Sequence, residues 1–232
     1  MRAHPHLRKP YIFNQKGITK MVNDVSHSSL AFPEEVYLLG SGPLAIEHYQ
    51  KIPDNAYVVA VNRAVGIPFE FGISFKISAW VIADPNAVNN SSYYKSYSSK
   101  FRGIRIFSME AARSSSDFGR RDLNKCYSFY QIPRSSRRRT FRVGEIDYQI
   151  EGTVGGVGIQ ILVKKGVERI HLCGFDLSGD VDFKGELPRD HRHGDKWGAT
   201  VFFDSVISYY QGHGVEIDSI SPTKLSKCVQ VL

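Results

Sequence analysis

Val36-Tyr37-Leu38-Leu39-Gly40-Ser41-Gly42-Pro43-Leu44-Ala45-Ile46-Glu47-His48-Tyr49-Gln50-Lys51-Ile52-Pro53-Asp54-Asn55-Ala56-Tyr57-Val58-Val59-Ala60-Val61-Asn62-Arg63 is the stretch that decides the fold. Its first apolar run ends at Gly40, which suits a short buried strand. Ser41-Gly42-Pro43 reads as a turn, with Pro43 in the first turn of a helix, where its missing N–H costs nothing. The helix runs from Leu44 to Lys51, His48 faces out of it, and Pro53 ends it. Ala56 to Val61 is a second buried strand, closing on Asn62-Arg63.

The same grammar continues outward. Ala79 to Ala83 is strand-like and ends on Asp84-Pro85, residues 87–101 read as a helix, and Ile104 to Phe107 as a strand. A short strand is expected around Tyr127 to Gln131 and a hairpin over Phe141 to Ile150. Gly152 to Gly158 opens a glycine-rich helix, with Gly166 as its C-cap. Arg169 to Gly174 is a strand ending at Phe175-Asp176, Lys196 to Gln211 an amphipathic helix, and Val215 to Ile217 a last strand. Strands alternating with helices imply an α/β fold: a Rossmann-like, mostly parallel sheet with helices on both faces. The domain reading is an N-terminal arm over 1–33 and a single α/β domain over 34–232. A lid-like insertion occupies about 109–150.

Composition bounds the rest. The 232 residues are 42% hydrophobic and 12% aromatic, which excludes wholesale disorder. Cys126, Cys173 and Cys228 are widely spaced and read as reduced thiols of a cytosol-like compartment. No apolar run approaches the ~20 residues of a membrane span. The net charge is +7. Residues 1–20 carry +5 and residues 134–142 carry +5, leaving −3 for the remainder of the chain. A DNA-binding face needs cations spread along a surface, so DNA is excluded as a partner. A local anion fits instead: a phosphate, an acidic sugar, or a membrane surface met by the basic arm.

In open α/β sheets ligands bind beyond the carboxyl ends of the strands. The informative residues are therefore Gly40, Ser41, Gly42 and Pro43, then Asn62, Asp84, and Gly174-Phe175-Asp176. Glycine N–H groups at a helix start can hold a phosphate, although Gly40-Ser41-Gly42-Pro43 lacks the third glycine of the dinucleotide fingerprint and the lysine of a Walker loop. Asp84 and Asp176 read equally as ligand-binding carboxylates or as caps. The glycines of 152–158 serve either an anion cradle or close packing of helix on sheet. Asp190-His191-Arg192-His193-Gly194-Asp195 offers a histidine base with orienting carboxylates, or a solvated loop. The 134–142 run, with Arg137, Arg138 and Arg139, reads as a solvated loop or as an anion clamp or lid.

These blocks resemble a known group. Residues 36–63 are similar to the opening of the bacterial CMP-sialic acid-dependent sialyltransferases of glycosyltransferase family 42. Gly152 to Asp176 resembles their Thr-Ser-Gly helix and following Gly-x-Asp strand. The wider group includes motility-associated glycosyltransferases and archaeal 6-hydroxymethylpterin diphosphokinases. There a strand ends Asp-Pro, as at Ala83-Asp84-Pro85, and a tail like Ser221 to Leu225 occurs. The resemblance implies that Gly40, Ser41, Gly42 and Asn62 contact a cytidine nucleotide. It implies that Thr153, Val154 and Gly155 contact nucleotide and sugar, and that His193 or His191 is the catalytic base. Ser41 replaces a family asparagine, and the family tyrosines after the Gly-x-Asp strand have no counterpart here.

The expected function is transfer of a sialic acid-like sugar from a CMP-sugar donor to a glycan acceptor, in lipopolysaccharide or glycan biosynthesis. No metal or other cofactor is expected, and the location is cytoplasmic, peripheral at the inner membrane face. The first alternative is a Mg²⁺-dependent diphosphokinase using ATP, with Asp84 and Asp176 as metal ligands. The second is a non-enzymatic polyanion-binding protein. A homo-oligomer is compatible with all three.

Overall fold

A computed structural model describes residues 11–13, 19–21, 23–24, 29–83, 88, 92–108, 111, 126–129, 154–177, 182–184 and 196–231. The strands are β1 (Tyr11–Phe13), β2 (Thr19–Met21), β3 (Asn23–Asp24), β4 (Glu35–Leu39), β5 (Val58–Val61), β6 (Ile77–Ile82), β7 (Ile104–Ser108), β8 (Cys126–Phe129), β9 (Arg169–Cys173), β10 (Glu216–Ser219) and β11 (Val229–Gln230). The helices are α1 (Ala45–Lys51), α2 (Ile67–Phe71), α3 (Ser92–Ser98), α4 (Val154–Lys164) and α5 (Lys196–Gln211). A 3₁₀ turn over Asn62–Gly66 precedes α2.

The sheet order is β11-β10-β9-β4-β5-β6-β7-β8-β3. Every pairing in it is parallel. Seven strands of four to six residues are flanked by a two-residue strand at each edge. β1 and β2 form a separate antiparallel hairpin. The apolar runs are continuous because both sheet faces are covered. Leu38, Val59, Val61, Ala79 and Val81 pack with residues of α4 and α5. Leu39, Val58, Ala60, Trp80 and Ile82 pack with residues of α1, the 3₁₀ turn and α3. This is the Rossmann-like α/β architecture expected from the sequence. Among the described residues no helix is long and apolar enough to cross a membrane.

Local expectations meet four differences. Helix α1 starts at Ala45, with Leu44 as N-cap, so Pro43 lies in the turn before it. His48 is buried at 3% exposure rather than outward, its Nδ1 2.9 Å from the Leu44 carbonyl. Residues 62–71 form a 3₁₀ turn and a short helix, with Gly72 (φ 61) ending it. Within 1–33, Asn23–Asp24 pairs with Tyr127–Ser128 and closes one sheet edge. Gly166, at φ 84, holds the left-handed position expected of it. The expected hairpin at 141–150 lies outside the described residues, as does the 109–150 insertion apart from Ala111 and β8.

The amino ends of the central strands carry their own charge network. Arg169 binds Glu35 and Glu216, each at 2.8 Å. His171 is wedged between Asp218 (Nδ1, 2.7 Å) and Glu35 (Nε2, 3.3 Å), against the Tyr37 ring. The Asp218 hydrogen bond, aided by both carboxylate charges against partial burial, raises the His171 pKa above its usual value. A raised folded-state pKa gives stability that is full below the unfolded value near 6.5 and lost as pH climbs through the folded value. The Tm advantage of the wild type over His171→Gln is therefore expected to be full in mild acid and to shrink as pH rises above about 6.5. A pH-independent difference would show that His171 gains nothing from its carboxylates.

Candidate functional site

The chain starts its outward walk at β4, reaches β8, and then returns to place β9 on the other flank of β4. The reversal therefore lies between β4 and β9, and open α/β sheets form their ligand crevice at such a point. Gly40 to Pro43 leave β4 there, and Gly174 to Leu177 leave β9. Asn62 and Arg63 leave the neighbouring β5.

The two segments are drawn close together. The Gly40 N–H donates to the Cys173 carbonyl at 2.7 Å, and the Gly42 N–H donates to that of Gly174 at 2.9 Å. A Cβ on Gly42 would overlap Asp176 Oδ1, and would stand 2.6 Å from its Cγ and 2.8 Å from the Gly174 oxygen. A Cβ on Gly155, in the first turn of α4, would stand 2.5 Å from the Phe175 ring, which stacks on Phe203 at 5.3 Å. Close packing thus accounts for both glycines. The sequence reading offered an anion cradle as well; these two positions are needed whether or not an anion binds.

Asp176 is 1% exposed, and its Oδ2 accepts the Leu44 N–H at 3.2 Å. Leu44 itself supplies no side-chain cap to α1. A carboxylate of the chain therefore sits where the positive end of the helix calls for an anion. The reading of Asp176 as a cap is the one this geometry matches, on α1 rather than on a following element.

The tail clasps the same segment. Ser221 Oγ accepts the Gly174 N–H at 2.9 Å, Thr223 Oγ1 donates to the Phe175 carbonyl at 2.6 Å, and the Lys224 N–H donates to the Asp176 carbonyl at 3.1 Å. The Ser-Pro-Thr-Lys-Leu motif of the sequence is this clasp. Beneath it, burial pushes the Cys173 thiol up to about 12, so it remains protonated and unreactive.

Asn62 differs from the surrounding residues. It is one of two non-glycine residues with positive φ among those described, at 47°. Its carbonyl accepts Trp80 Nε1 at 2.7 Å. Its side-chain Oδ1 is buried and has no hydrogen-bond partner among the described residues. Backbone strain and an orphaned polar atom on one residue at a strand end mark a site built for something other than stability.

Residues 182–184 form a strap across this region, which the sequence reading missed. The Phe183 N–H donates to the Ser41 carbonyl at 3.1 Å. Asp182, its side chain 4% exposed, pairs with Arg63 at 2.5 Å. Lys184 pairs with Glu70 at 2.8 Å, and the Tyr97 hydroxyl donates to the same carboxylate. Lys184 first and Tyr97 second hold the Glu70 carboxyl below its usual range. The available signal was Arg63, a cation directly after a strand, but nothing in its neighbourhood named Asp182 as partner.

The structure thus gathers Gly40, Ser41, Gly42, Pro43, Gly174, Phe175 and Asp176 at the switch point, Val154 and Gly155 on the helix beside Phe175, and Asn62 at the end of β5. Asp84, Thr153, His191, His193, Arg137, Arg138 and Arg139 lie outside the described residues. Among the described residues no group of three or more His, Cys, Asp or Glu is placed to hold a metal ion.

No protein-family model matches the chain, and no curated protein matches it. Solved structures do. The MAf glycosyltransferase of Magnetospirillum magneticum is similar over 90% of this chain at 14% identity, with a TM-score of 0.57. The chain spans only 35% of that protein. The monofunctional α-2,3-sialyltransferase Cst-I of Campylobacter jejuni is similar over 83% of this chain and 78% of its own, at 16% identity and TM-score 0.53. The sialyltransferase CstII of Campylobacter jejuni, solved with the substrate analogue CMP-3FNeuAc, is similar over 85% of each chain at 10% identity and TM-score 0.50. At these identities the likeness shows the fold.

Proposed function

We propose that the chain is a glycosyltransferase that binds a CMP-activated, sialic acid-like sugar at the switch point and transfers it to a glycan hydroxyl. The observation that carries this reading is Asn62. Its strained backbone and orphaned buried Oδ1 stand at the end of β5. An acceptor atom in that state is satisfied by a ligand donor, and the 4-amino group of cytosine is one. The fold likeness to structures solved with CMP-sugar analogues supports the choice of nucleotide.

In the proposed reaction His193, or His191, takes the proton of the acceptor hydroxyl. The acceptor oxygen bonds to the anomeric carbon from the face opposite the phosphate. The bond from that carbon to the phosphate oxygen breaks, CMP leaves with the electron pair, and the configuration inverts. Arg137, Arg138 and Arg139 neutralise the departing charge. The basic arm over 1–33 and the insertion over 109–150 remain the proposed appendages of one nucleotide-binding domain. The ATP reading needs Asp84 and Asp176 for Mg²⁺; of the Asp176 carboxylate, Oδ2 accepts the Leu44 N–H.

A thermal-shift panel of CMP, UMP, GDP and ATP, each with and without Mg²⁺, tests the reading. CMP alone is expected to raise Tm without Mg²⁺. At 100-fold excess over Kd the stabilisation is about 2.7 kcal/mol, or roughly 5–10 °C. Asn62→Gly is expected to split two properties: relief of the positive φ leaves Tm equal or higher, while the CMP shift falls. His193→Ala and His191→Ala are expected to keep the CMP shift, and one of them to lose sugar transfer. A Tm raised only by ATP with Mg²⁺ would replace this reading with the diphosphokinase.

A further inference from the structure

Trp80 stands on β6 opposite Ala60 of β5, and Ala60 lies two residues before Asn62. Its side chain is fully buried, the largest such side chain among the described residues. The indole packs against Tyr94 at 5.6 Å and 32°, and against Phe101 at 5.7 Å and 78°. Both neighbours are themselves buried. Two buried rings set at different angles to the indole hold it in one orientation. That orientation brings Nε1 to the Asn62 carbonyl at 2.7 Å.

A buried indole N–H needs an acceptor, and Trp80 takes its acceptor from the strained residue at the end of β5. Asn62 has φ 47. A non-glycine residue keeps such a conformation only where its surroundings over-determine it. The two peptide planes flanking Asn62 are held from separate directions. Val61, paired with Val81, ties the preceding plane to the sheet. The Trp80 N–H ties the following plane through the carbonyl. Planes fixed on both sides of a Cα fix the direction of its side chain. The atom so directed is Oδ1, buried and without a hydrogen-bond partner among the described residues.

We propose that Trp80 is a positioning residue: its indole N–H holds Asn62 in the left-handed conformation that presents Oδ1 to the base of the nucleotide. The proposal rests on the reading of Asn62 as the cytosine contact, and it adds the source of base selectivity. An acceptor fixed in place takes the 4-amino group of cytosine and faces O4 of uracil lone pair to lone pair. An Asn62 released to negative φ loses that distinction.

Trp80→Phe is the test, since a phenyl ring keeps most of the packing and lacks the donor. In two-dimensional NMR of the full chain without nucleotide, the Asn62 side-chain amide resonance is assigned by its loss in Asn62→Gly. It is expected to move in Trp80→Phe. In calorimetric titrations CMP is expected to bind Trp80→Phe about fivefold more weakly than wild type. The preference for CMP over UMP is expected to shrink with it. Phe101→Leu loosens the same aromatic cluster and keeps the donor, so it is expected to lower Tm and leave the CMP-to-UMP ratio unchanged. Should Trp80→Phe fail to fold, Trp197→Phe reports instead. The chain has two tryptophans, so the remaining indole N–H is that of Trp80. It is expected to exchange with D₂O far more slowly than free indole and to shift on addition of CMP. Three results would overturn the proposal: an Asn62 amide resonance unmoved in Trp80→Phe, a CMP-to-UMP ratio that survives loss of the donor, or a Trp80 N–H that exchanges as fast as free indole. A wild type that binds neither nucleotide refutes the cytosine reading alone, and the Asn62 resonance then decides whether Trp80 holds Asn62.

Discussion

Gly42→Ala is expected to destabilise the chain by about 3 kcal/mol. For a domain of this length that lowers Tm by roughly 6–12 °C. The added methyl has nowhere to go. Asp176 occupies the space with its Cγ at 2.6 Å, and the Gly174 carbonyl, fixed by the Gly42 N–H itself, stands at 2.8 Å. Relief requires moving Asp176, which gives up the Leu44 N–H and the start of α1, or separating the ends of β4 and β9. Asp176→Ala alone is expected to cost about 1 kcal/mol as a lost cap. Combined with Gly42→Ala it is expected to recover part of the loss, because the carboxylate that clashes is gone. Equal melting temperatures for wild type and Gly42→Ala would show that the two segments do not approach as described.

The second large effect is expected at Arg63. Its partner Asp182 has a side chain only 4% exposed, and Arg63 is itself 23% exposed. Removing the cation leaves a buried negative charge that the Lys184 N–H, 2.9 Å from Asp182 Oδ1, only partly compensates. Arg63→Met is expected to cost about 3 kcal/mol. Asp182→Asn leaves a neutral amide and costs less. A double-mutant cycle by urea unfolding is expected to give a coupling above about 1 kcal/mol. A coupling near zero would place the pair with exposed salt bridges, which contribute little. The same variants disconnect the strap from the 3₁₀ turn after β5 while leaving the Phe183 N–H on Ser41. A CMP shift that falls with Arg63→Met but returns in Arg63→Lys would connect the pair to ligand binding as well as to folding.

The sheet was legible because buried parallel strands announce themselves. Val58-Val59-Ala60-Val61 is apolar throughout and has one reading, and Lys196–Gln211 has a period that only a helix satisfies. The Gly40 to Pro43 turn was legible as a switch-point element for the same reason. Its chemistry was harder to read, since a glycine needed to admit a phosphate and a glycine needed to admit Asp176 are the same letter. His48 shows a second limit. Two turns of helix carry too few residues for an apolar face to be counted with certainty of register, and a histidine that bonds its own helix carbonyl can be buried. The 3₁₀ turn after Asn62 was illegible because its cause is a positive φ that no residue type dictates outside glycine. The strap at 182–184 was hidden for a different reason. Arg63 and Asp182 are far apart in sequence, and only the sheet order brings them together.

The edge strand Asn23–Asp24 carries a consequence for how the molecule is made. Its partner strand is Cys126–Phe129, so the earliest part of the sheet to be synthesised is among the last of β4 to β8's neighbours to find a place. At about 5–20 residues per second the basic arm waits several seconds on a ribosome before its seat exists. During that interval β4, β5, β6 and β7 can assemble in the order they emerge, each beside the one before. Vectorial synthesis thus builds one wing of the sheet outward from its centre, and the arm can dock only after that wing reaches β8.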